Sequence, residues 1–301
     1  MRSRSSRRPG NRLGGATTQR YRPHMDVPCY IVDAFTEQPF RGNPAGVCLL
    51  DGPAPVPWMA AVAAELRHSE TAFCWPGDGR DFAAGCELRW YTPLVEVPLC
   101  GHATLATAHV LWSSGRVAAS TPLQFSTRSG PLVARTRPDV GIALDFPTYR
   151  DSPVTAEVAS AAARVVGATP RAVVSYAPKL LVELDSEEAV AAVSADREQV
   201  RALEGEGLLV TAASVRPDVD YVLRYFAPNA GVDEDPVTGS AQSAAGPYWA
   251  ARLGRRRLRA EQISARRGAL GVEVSDDGAR VTIAGRATTV LTGALHCGPT
   301  G

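Results

Sequence analysis

Apolar side chains are densest between Leu99 and Trp112, a stretch that reads LCGHATLATAHVLW. A helix that is apolar on all sides is normally buried in the protein. The stretch therefore predicts a buried helix that begins at Gly101, with His102 in its first turn. The unpaired N–H groups and the dipole at such an N-terminus favour a bound anion.

Alternating apolar and polar positions predict strands on both sides of this helix. The predicted strands are 29–35, 46–50, 71–75, 172–176, 180–184, 207–214 and 218–226, and the predicted helices are 57–66, 156–166 and 186–203. The Asn43–Pro44 pair between glycines favours a turn, with a loop that covers a substrate as the alternative. Pro247 lies inside a second helical pattern and is expected to kink or end that helix.

Three segments of the first half of the chain recur in the second half in the same order. Glu87–Pro93 resembles Val222–Pro228, CGHATLA (100–106) resembles TGSAQSA (238–244), and Phe125–Leu132 resembles Ile263–Leu270. The second and third pairs have the same separation along the chain. We interpret the pattern as an internal duplication, in which each half contains a strand, a loop, a buried helix and a further strand.

The duplication predicts a boundary near Tyr149. The first half is expected to span residues 25–148 and to be joined by the last strand, 287–297, while the second half spans 149–286. Residues 1–24 differ from the rest because they are rich in arginine and contain no acidic residue. They are interpreted as a disordered tail or as a start codon assigned upstream of Met25, with a transit peptide as the alternative.

The amino-acid composition and net charge argue against several classes of function. The chain has 301 residues, 45% of them apolar, and a net charge of +1, which gives no indication of a nucleic-acid partner. Its six cysteines show no CxxC spacing, so free thiols and no zinc site are expected. No apolar run approaches the roughly 20 residues of a membrane span, and a cytoplasmic location is expected.

Acidic and polar residues near the two helix starts are the candidates for chemistry. Glu70 precedes an apolar strand and is either a surface carboxylate or an acid at the mouth of a site. Asp235 follows two other acids and lies shortly before Gly239, which is consistent with a solvated loop, metal ligation or a catalytic acid. If the halves face each other, His102 and Ser240 are expected to be partners beside two helix N-termini that bind a carboxylate.

Four motifs carry a family resemblance. GNPAGV, SETAF, RWYTPLVEVPLCGHATLA and DEDPVTGSA, in this order, are similar to those of the phenazine-biosynthesis isomerase (PhzF-like) family, from about Met25 to the C-terminus. The resemblance implies an α+β fold like that of diaminopimelate epimerase and proline racemase. In that fold, two pseudo-symmetric halves each wrap a mixed, barrel-like sheet around a central helix, and the site lies between them.

The same resemblance implies a homodimeric enzyme without metal or organic cofactor. Motif by motif, it implies that Glu70, His102 and Asp235 are catalytic. The residues expected to bind the substrate are Asn43, Ser69, Gly101, Gly239 and Ser240. One departure is Gln242, where a histidine is common in the family.

The expected activity is an isomerisation in which a proton moves between carbons of a small carboxylate-bearing metabolite. A carboxyl group can remove and return that proton if burial raises its pKa towards neutrality. One alternative is an amino-acid racemase with two thiols, but Cys100 precedes Gly101 whereas Thr238 precedes Gly239. The other alternative is a non-catalytic protein that binds a small ligand.

Overall fold

A computed structural model describes residues 26–78, 80–203 and 205–299. The predicted tail, residues 1–24, lies outside these residues. The described strands are β1 (Val27–Ala34), β2 (Asn43–Leu49), β3 (Glu70–Pro76), β4 (Cys86–Tyr91), β5 (Glu96–Val97), β6 (Leu123–Thr127), β7 (Gly130–Arg137), β8 (Gly141–Pro147), β9 (Ala172–Tyr176), β10 (Lys179–Glu183), β11 (Gly207–Ala213), β12 (Tyr221–Ala227), β13 (Val232–Asp235), β14 (Arg257–Gln262), β15 (Gly268–Val274), β16 (Arg280–Gly285) and β17 (Ala287–Leu295). The α-helices are α1 (Val56–Leu66), α2 (Gly101–Ser113), α3 (Ala156–Val166), α4 (Glu187–Ala192), α5 (Arg197–Arg201) and α6 (Gln242–Leu253).

The strands form a mixed sheet in which one order of pairing occurs twice. From β1 to β8 the chain pairs β1 with β2 antiparallel, β2 with β3 parallel, β3 with β4 antiparallel, β4 with β6 parallel, and then β6, β7 and β8 antiparallel. The strands β9, β10, β11, β12, β14, β15 and β16 repeat this series of pairings. The short strands β5 and β13 pair with β4 and β12 at corresponding places.

Two antiparallel contacts connect these sets of strands to each other and to the end of the chain. β8 pairs with β16, and the C-terminal β17 pairs with β1. β17 therefore lies beside the first set of strands although it follows the second set in sequence. The division of the chain at residue 148 stays a prediction.

The apolar helix α2 lies inside the first set of strands. It begins at Gly101, as the sequence predicts, and contacts β1, β2, β3, β8 and β17. Every residue from Gly101 to Leu111 except His109 is buried. In the second set, α6 contacts β10, β14, β15 and β16. Each helix packs inside its set of strands, and this packing removes the apolar side chains of the helix from water.

Three local predictions need correction. The predicted turn at Asn43–Pro44 is the start of β2, and the chain turns earlier, at Gly42, which has φ +64°. The predicted helix 186–203 consists of α4 and α5, because Val193 is extended and Ser186 and Asp196 each cap a separate helix with their side chains. Pro247 lies inside α6, which continues to Leu253, so the predicted end of the helix at this residue is wrong and the predicted kink stays a prediction.

The N-terminal ends of the two central helices approach each other closely. In the second set, a short 3₁₀ helix (Gly239–Ala241) precedes α6. A Cβ atom added to Gly101 would lie 3.5 Å from the Cα of Gly239. The two backbones thus approach each other closely at these glycines, which brings the first turns of both helices to one place.

This approach predicts different effects for two alanine substitutions. In Gly239→Ala the new Cβ would lie 2.7 Å from the Cδ1 of buried Ile283, whereas in Gly101→Ala the nearest atoms are at ordinary contact distance. We expect Gly239→Ala to lower the free energy of unfolding by about 1–3 kcal/mol. Gly101→Ala should change it by less than about 1 kcal/mol. Urea denaturation measures both, and equal losses would contradict the proposed packing.

Candidate active site

A cavity of about 540 Å³ lies where the two helix N-termini meet. Its walls come from both sets of strands. The first set contributes Glu70, Cys100, Gly101 and His102, and the second contributes Glu206, Tyr225, Asp235, Gly239 and Ser240. The cavity therefore brings together the three side chains that the sequence motifs indicate as catalytic, Glu70, His102 and Asp235.

Glu70 is the first residue of β3, where the strand leaves the loop that follows α1. Burial raises the pKa of its carboxyl group to about 8, and the nearby Asp235 contributes in the same direction. Both effects disfavour the charged form, because an anion is poorly solvated in an apolar environment and is repelled by a second carboxylate. Near neutral pH, Glu70 is thus a mostly protonated acid that remains in equilibrium with its carboxylate.

His102 lies in the first turn of α2 and is buried. Burial lowers its pKa to about 3, so the imidazole is neutral at physiological pH. Its Nε2 atom lies 3.4 Å from Oε2 of Glu70 without completing a hydrogen bond, and its Nδ1 atom lies 3.4 Å from Sγ of Cys100. The ring nitrogens of His102 thus lie beside Glu70 and Cys100, which belong to the same set of strands. Ser240 lines the same cavity, and its partnership with His102 stays a prediction.

Asp235 is held by hydrogen bonds to both of its carboxylate oxygens. The amide of Asn43 donates to one oxygen at 2.7 Å, and the hydroxyl of Thr238 donates to the other at 2.5 Å. Burial raises the pKa of Asp235 to about 6, while these two hydrogen bonds oppose the shift by stabilising the anion. The side-chain amide of Gln262 also donates to the backbone carbonyl of Asp235, which fixes the end of β13.

Asn43 connects the two sets of strands. It is fully buried, and its amide also donates to the carbonyl of Val237 at 2.9 Å. Its side-chain carbonyl accepts a hydrogen bond from the hydroxyl of Ser69 at 3.2 Å. The structure thus places Asn43 and Ser69 behind the two acids, and direct contact of either residue with a substrate stays a prediction.

The helix N-termini supply groups for an anion. Neither Cys100 before α2 nor Thr238 before the 3₁₀ helix caps the backbone N–H groups with its side chain. Gly101, Gly239 and Ser240 all line the cavity. Unsatisfied N–H groups and two helix dipoles are consequently directed at the same space, which is suited to a carboxylate.

The side chains of Glu70, Cys100 and His102 also form a set of potential metal ligands. One oxygen, sulfur or nitrogen atom from each lies within 4.8 Å of the others. The sequence spacing did not indicate this set, because Glu70 and Cys100 meet only when β3 and α2 pack together. The arrangement has two chemical uses, an acid–base pair or a site for a thiophilic cation.

A larger cavity, of about 600 Å³, lies elsewhere, among residues that include Glu37, Glu261, Arg267 and Arg286. Two of its acids are in ion pairs, since Arg267 pairs with Glu261 at 3.0 Å and Arg286 with Glu37 at 3.1 Å. Its lining includes neither Glu70, His102 nor Asp235. The smaller cavity is therefore the candidate active site.

Sequence reasoning missed the part of the cavity wall formed by Tyr149, Glu206 and Tyr225. One signal was available, because Tyr225 occupies the position of Trp90 in the repeated segments. A second signal was Lys179, the sole lysine of the chain, whose ammonium group donates to the Tyr225 phenol.

None of the described helices is long and apolar enough to cross a membrane.

Comparison with known proteins places the chain in a family. Residues 32–293 match the family model of phenazine biosynthesis-like proteins, PhzC–PhzF. A Pseudomonas aeruginosa protein described as an uncharacterized isomerase is 45% identical over 272 residues, which cover 90% of this chain and all of that protein.

Solved structures agree with this placement. A PhzF-family protein of Enterococcus faecalis matches with a TM-score of 0.80 and 38% identity, over 90% of this chain and 99% of that one. A probable proline racemase of Agrobacterium radiobacter, 14% identical with a TM-score of 0.56 over 89% and 92% of the two chains, has a similar fold. This chain, with its mixed, sheet-dominated fold and an acid-lined cavity between its two central helices, belongs to the phenazine biosynthesis-like (PhzC–PhzF) family.

Proposed function

We propose that the protein is a cofactor-independent isomerase that moves a proton between carbons of a small carboxylate-bearing metabolite. The observation that carries this proposal is the pair of acids in the cavity. Glu70 has a pKa of about 8 and Asp235 a pKa of about 6. Pairs of acids whose environments separate their pKa values are the usual basis of combined acid and base catalysis.

The pair can hold one proton over a useful range of pH. Between about pH 6 and 8 the two groups together carry a single proton, so one is a carboxylate and the other a carboxylic acid. In the minor form of the pair, Asp235 carries the shared proton and Glu70 is a carboxylate. This carboxylate takes the proton from one carbon of the substrate and returns it to another. Neutral His102, 3.4 Å from Glu70, orients that carboxyl group and does not compete for its proton.

The helix N-termini would hold the substrate carboxylate. Gly101, Gly239 and Ser240 line the cavity, and backbone N–H groups at a helix N-terminus carry partial positive charge. The same groups stabilise the negative charge that develops when the C–H bond breaks. Asn43 and Ser69 support this arrangement by fixing Asp235, and either could also contact the substrate when it is bound.

The comparisons support an isomerase, since the Pseudomonas aeruginosa relative is described as one. We also infer the architecture that the family resemblance implies. We infer that the repeated order of strand pairing reflects a duplication and two pseudo-symmetric halves. A homodimer in the cytoplasm is the expected state of the protein.

The racemase alternative requires two thiols on opposite sides of the substrate. Cys100 supplies one sulfur, and burial raises its pKa well above the ordinary thiol range, which disfavours the thiolate. Its counterpart is Thr238, whose hydroxyl is already bonded to Asp235. A purely binding role would not need the two acids, whose burial as anions is costly.

Replacement of the proposed shuttle tests the mechanism. Glu70→Gln keeps the size and hydrogen bonding of the side chain but removes its ability to carry a proton. We expect turnover to fall about a hundredfold to ten-thousandfold, the usual contribution of a positioned general base. Binding should persist, because the helix N-termini are unchanged. Small carboxylates that the protein retains are first identified by mass spectrometry. Their turnover is then measured by single-turnover kinetics and their binding by calorimetry.

Asp235→Asn is the comparison variant, and it should weaken both turnover and binding. Each assay is repeated with a chelator, because Glu70, Cys100 and His102 could also hold a metal ion. Normal turnover by Glu70→Gln would show that another group is the base. Loss of wild-type activity with chelator, restored by one divalent metal, would contradict proton transfer by the acids alone.

A substitution at Cys100 separates the isomerase from the thiol racemase. If Cys100 only packs against His102, Cys100→Ser should retain most of the turnover, within about tenfold of the wild type. If its sulfur carries a proton, turnover should fall about a hundredfold or more. Kinetics are measured on protein whose circular dichroism spectrum matches that of the wild type, and a near-complete loss in folded protein would favour the racemase.

A further inference from the structure

Lys179 is the only lysine among the 32 basic residues of the chain, and all the others are arginine. Its side chain is completely buried, at the start of β10. An ammonium group is rarely found inside a protein without partners that compensate its charge. A lone lysine in an arginine-rich sequence, placed in the interior beside the cavity, indicates a role that arginine would not fulfil.

The ammonium group of Lys179 contacts two residues of the cavity wall. It donates a hydrogen bond to the phenol oxygen of Tyr225 at 2.8 Å and lies 3.3 Å from a carboxylate oxygen of Glu206. Because an ammonium group can only donate, the phenol oxygen is the acceptor in this contact. The hydroxyl hydrogen of Tyr225 must therefore point to a different acceptor, either the neighbouring carboxylate of Glu206 or an oxygen of a ligand in the cavity.

Gly207 borders the space around the Tyr225 phenol. A Cβ atom added to Gly207 would lie 2.6 Å from the backbone carbonyl oxygen of Phe226 and 2.7 Å from the Tyr225 hydroxyl, so a side chain at this position would displace the strand, the phenol or both. In strand register, Gly207 corresponds to Glu70, since Gly207 pairs with Lys179 and Glu70 pairs with Ala45 on the preceding strands. Where the first half presents its acid, the second half leaves room for a phenol.

Tyr225 is suited to donate to a ligand. It lines the cavity, and it is the neighbour of Asp235 across β12 and β13. Burial raises the pKa of the phenol well above its ordinary value, with a contribution from Glu206, so the hydroxyl keeps its hydrogen. The phenol oxygen is thus held by Lys179 on the wall formed by the second set of strands, and its hydrogen can be donated to Glu206 or to a ligand.

We propose that Lys179 is a positioning residue that fixes Tyr225 as a hydrogen-bond donor, and that this end of the cavity selects substrates with an oxygen acceptor in addition to the carboxylate. The acceptor would be a hydroxyl, oxo or second carboxylate oxygen. This inference rests on the proposed function, because it assumes that the helix N-termini hold the first carboxylate.

The chemistry of lysine explains why arginine would not replace it. An ammonium group is a compact donor on a flexible chain, whereas a guanidinium is a wide planar fork. The ammonium lies 4.5 Å from the centre of the Tyr225 ring, and Tyr149 borders the other side at 6.0 Å. A fork of five donors in this space would displace the ring that it is meant to hold.

Binding of two simple probes tests the inference without a known substrate. Benzoate carries only a carboxylate, and 3-hydroxybenzoate adds one oxygen. We expect the wild type to bind 3-hydroxybenzoate about fivefold more tightly by calorimetry, the usual effect of one additional hydrogen bond. Tyr225→Phe and Lys179→Met should each abolish this preference and leave the affinity for benzoate within about twofold.

The matched control is Tyr221→Phe. Tyr221 is a second buried phenol on β12, bonded to Gln242 and absent from the cavity wall. This variant should keep the preference for 3-hydroxybenzoate even if it is less stable. A wild type without the preference, or a Lys179→Met variant that retains it, would overturn the proposal.

A measurement without ligand tests the lysine contact directly. Protein labelled with lysine carrying ¹⁵N at Nζ gives one side-chain signal, because the chain has a single lysine. We expect Tyr225→Phe to shift this signal and Tyr221→Phe to leave it unchanged. A signal that is the same in Tyr225→Phe and in the wild type would overturn the role of Lys179. Neither result depends on turnover, so failure here is distinct from failure of the proposed isomerase, which the Glu70→Gln kinetics reveal.

Discussion

The contact between the two central helices determines the rest of the site. Gly101 and Gly239 allow the N-terminal ends of the helices to meet, and a Cβ on either would lie within 3.6 Å of the other's Cα atom. Two helix dipoles with unpaired N–H groups are directed at one another, which is unfavourable unless negative charge lies between them. The carboxylate of Asp235 provides such charge near neutral pH, and under the proposed function the carboxylate of a substrate would add to it. The two sets of strands thus place both acids beside the meeting point of the helices.

The difference between the two acids follows from their local partners. Asp235 accepts hydrogen bonds from Asn43 and Thr238, which stabilise its anion. Glu70 lies 3.4 Å from a neutral imidazole, and its hydrogen bond with Cys100 lowers its pKa less than burial and Asp235 raise it. Two carboxyl groups in one cavity thus acquire different proton affinities. Because Asn43 belongs to the first set of strands and Asp235 to the second, this difference also depends on how the two sets are packed.

The sequence predicted those parts of the site that local patterns specify. An apolar run predicted α2 and its start at Gly101, and repeated motifs indicated that Gly239 would mark a similar place. It did not predict that Asn43 would begin a strand and bind Asp235, a contact across 192 positions of the chain. Nor did spacing reveal that Cys100 and Glu70 would meet, or that Lys179 would support Tyr225. These contacts depend on strand register and helix packing, which no short window of sequence encodes.

Direct titration of Glu70 tests the central claim of this account. Protein labelled with ¹³C at the glutamate carboxyl carbon is titrated by NMR, and the Glu70 signal is identified by its absence in Glu70→Gln. We expect this carboxyl group to titrate near pH 8, because burial and the proximity of Asp235 disfavour its anion. In Asp235→Asn the midpoint should move to lower pH, since one source of repulsion is removed. A midpoint near 4.5, the ordinary value of a glutamate, would show that Glu70 is not held as an acid at neutral pH and would contradict its role as the proton shuttle.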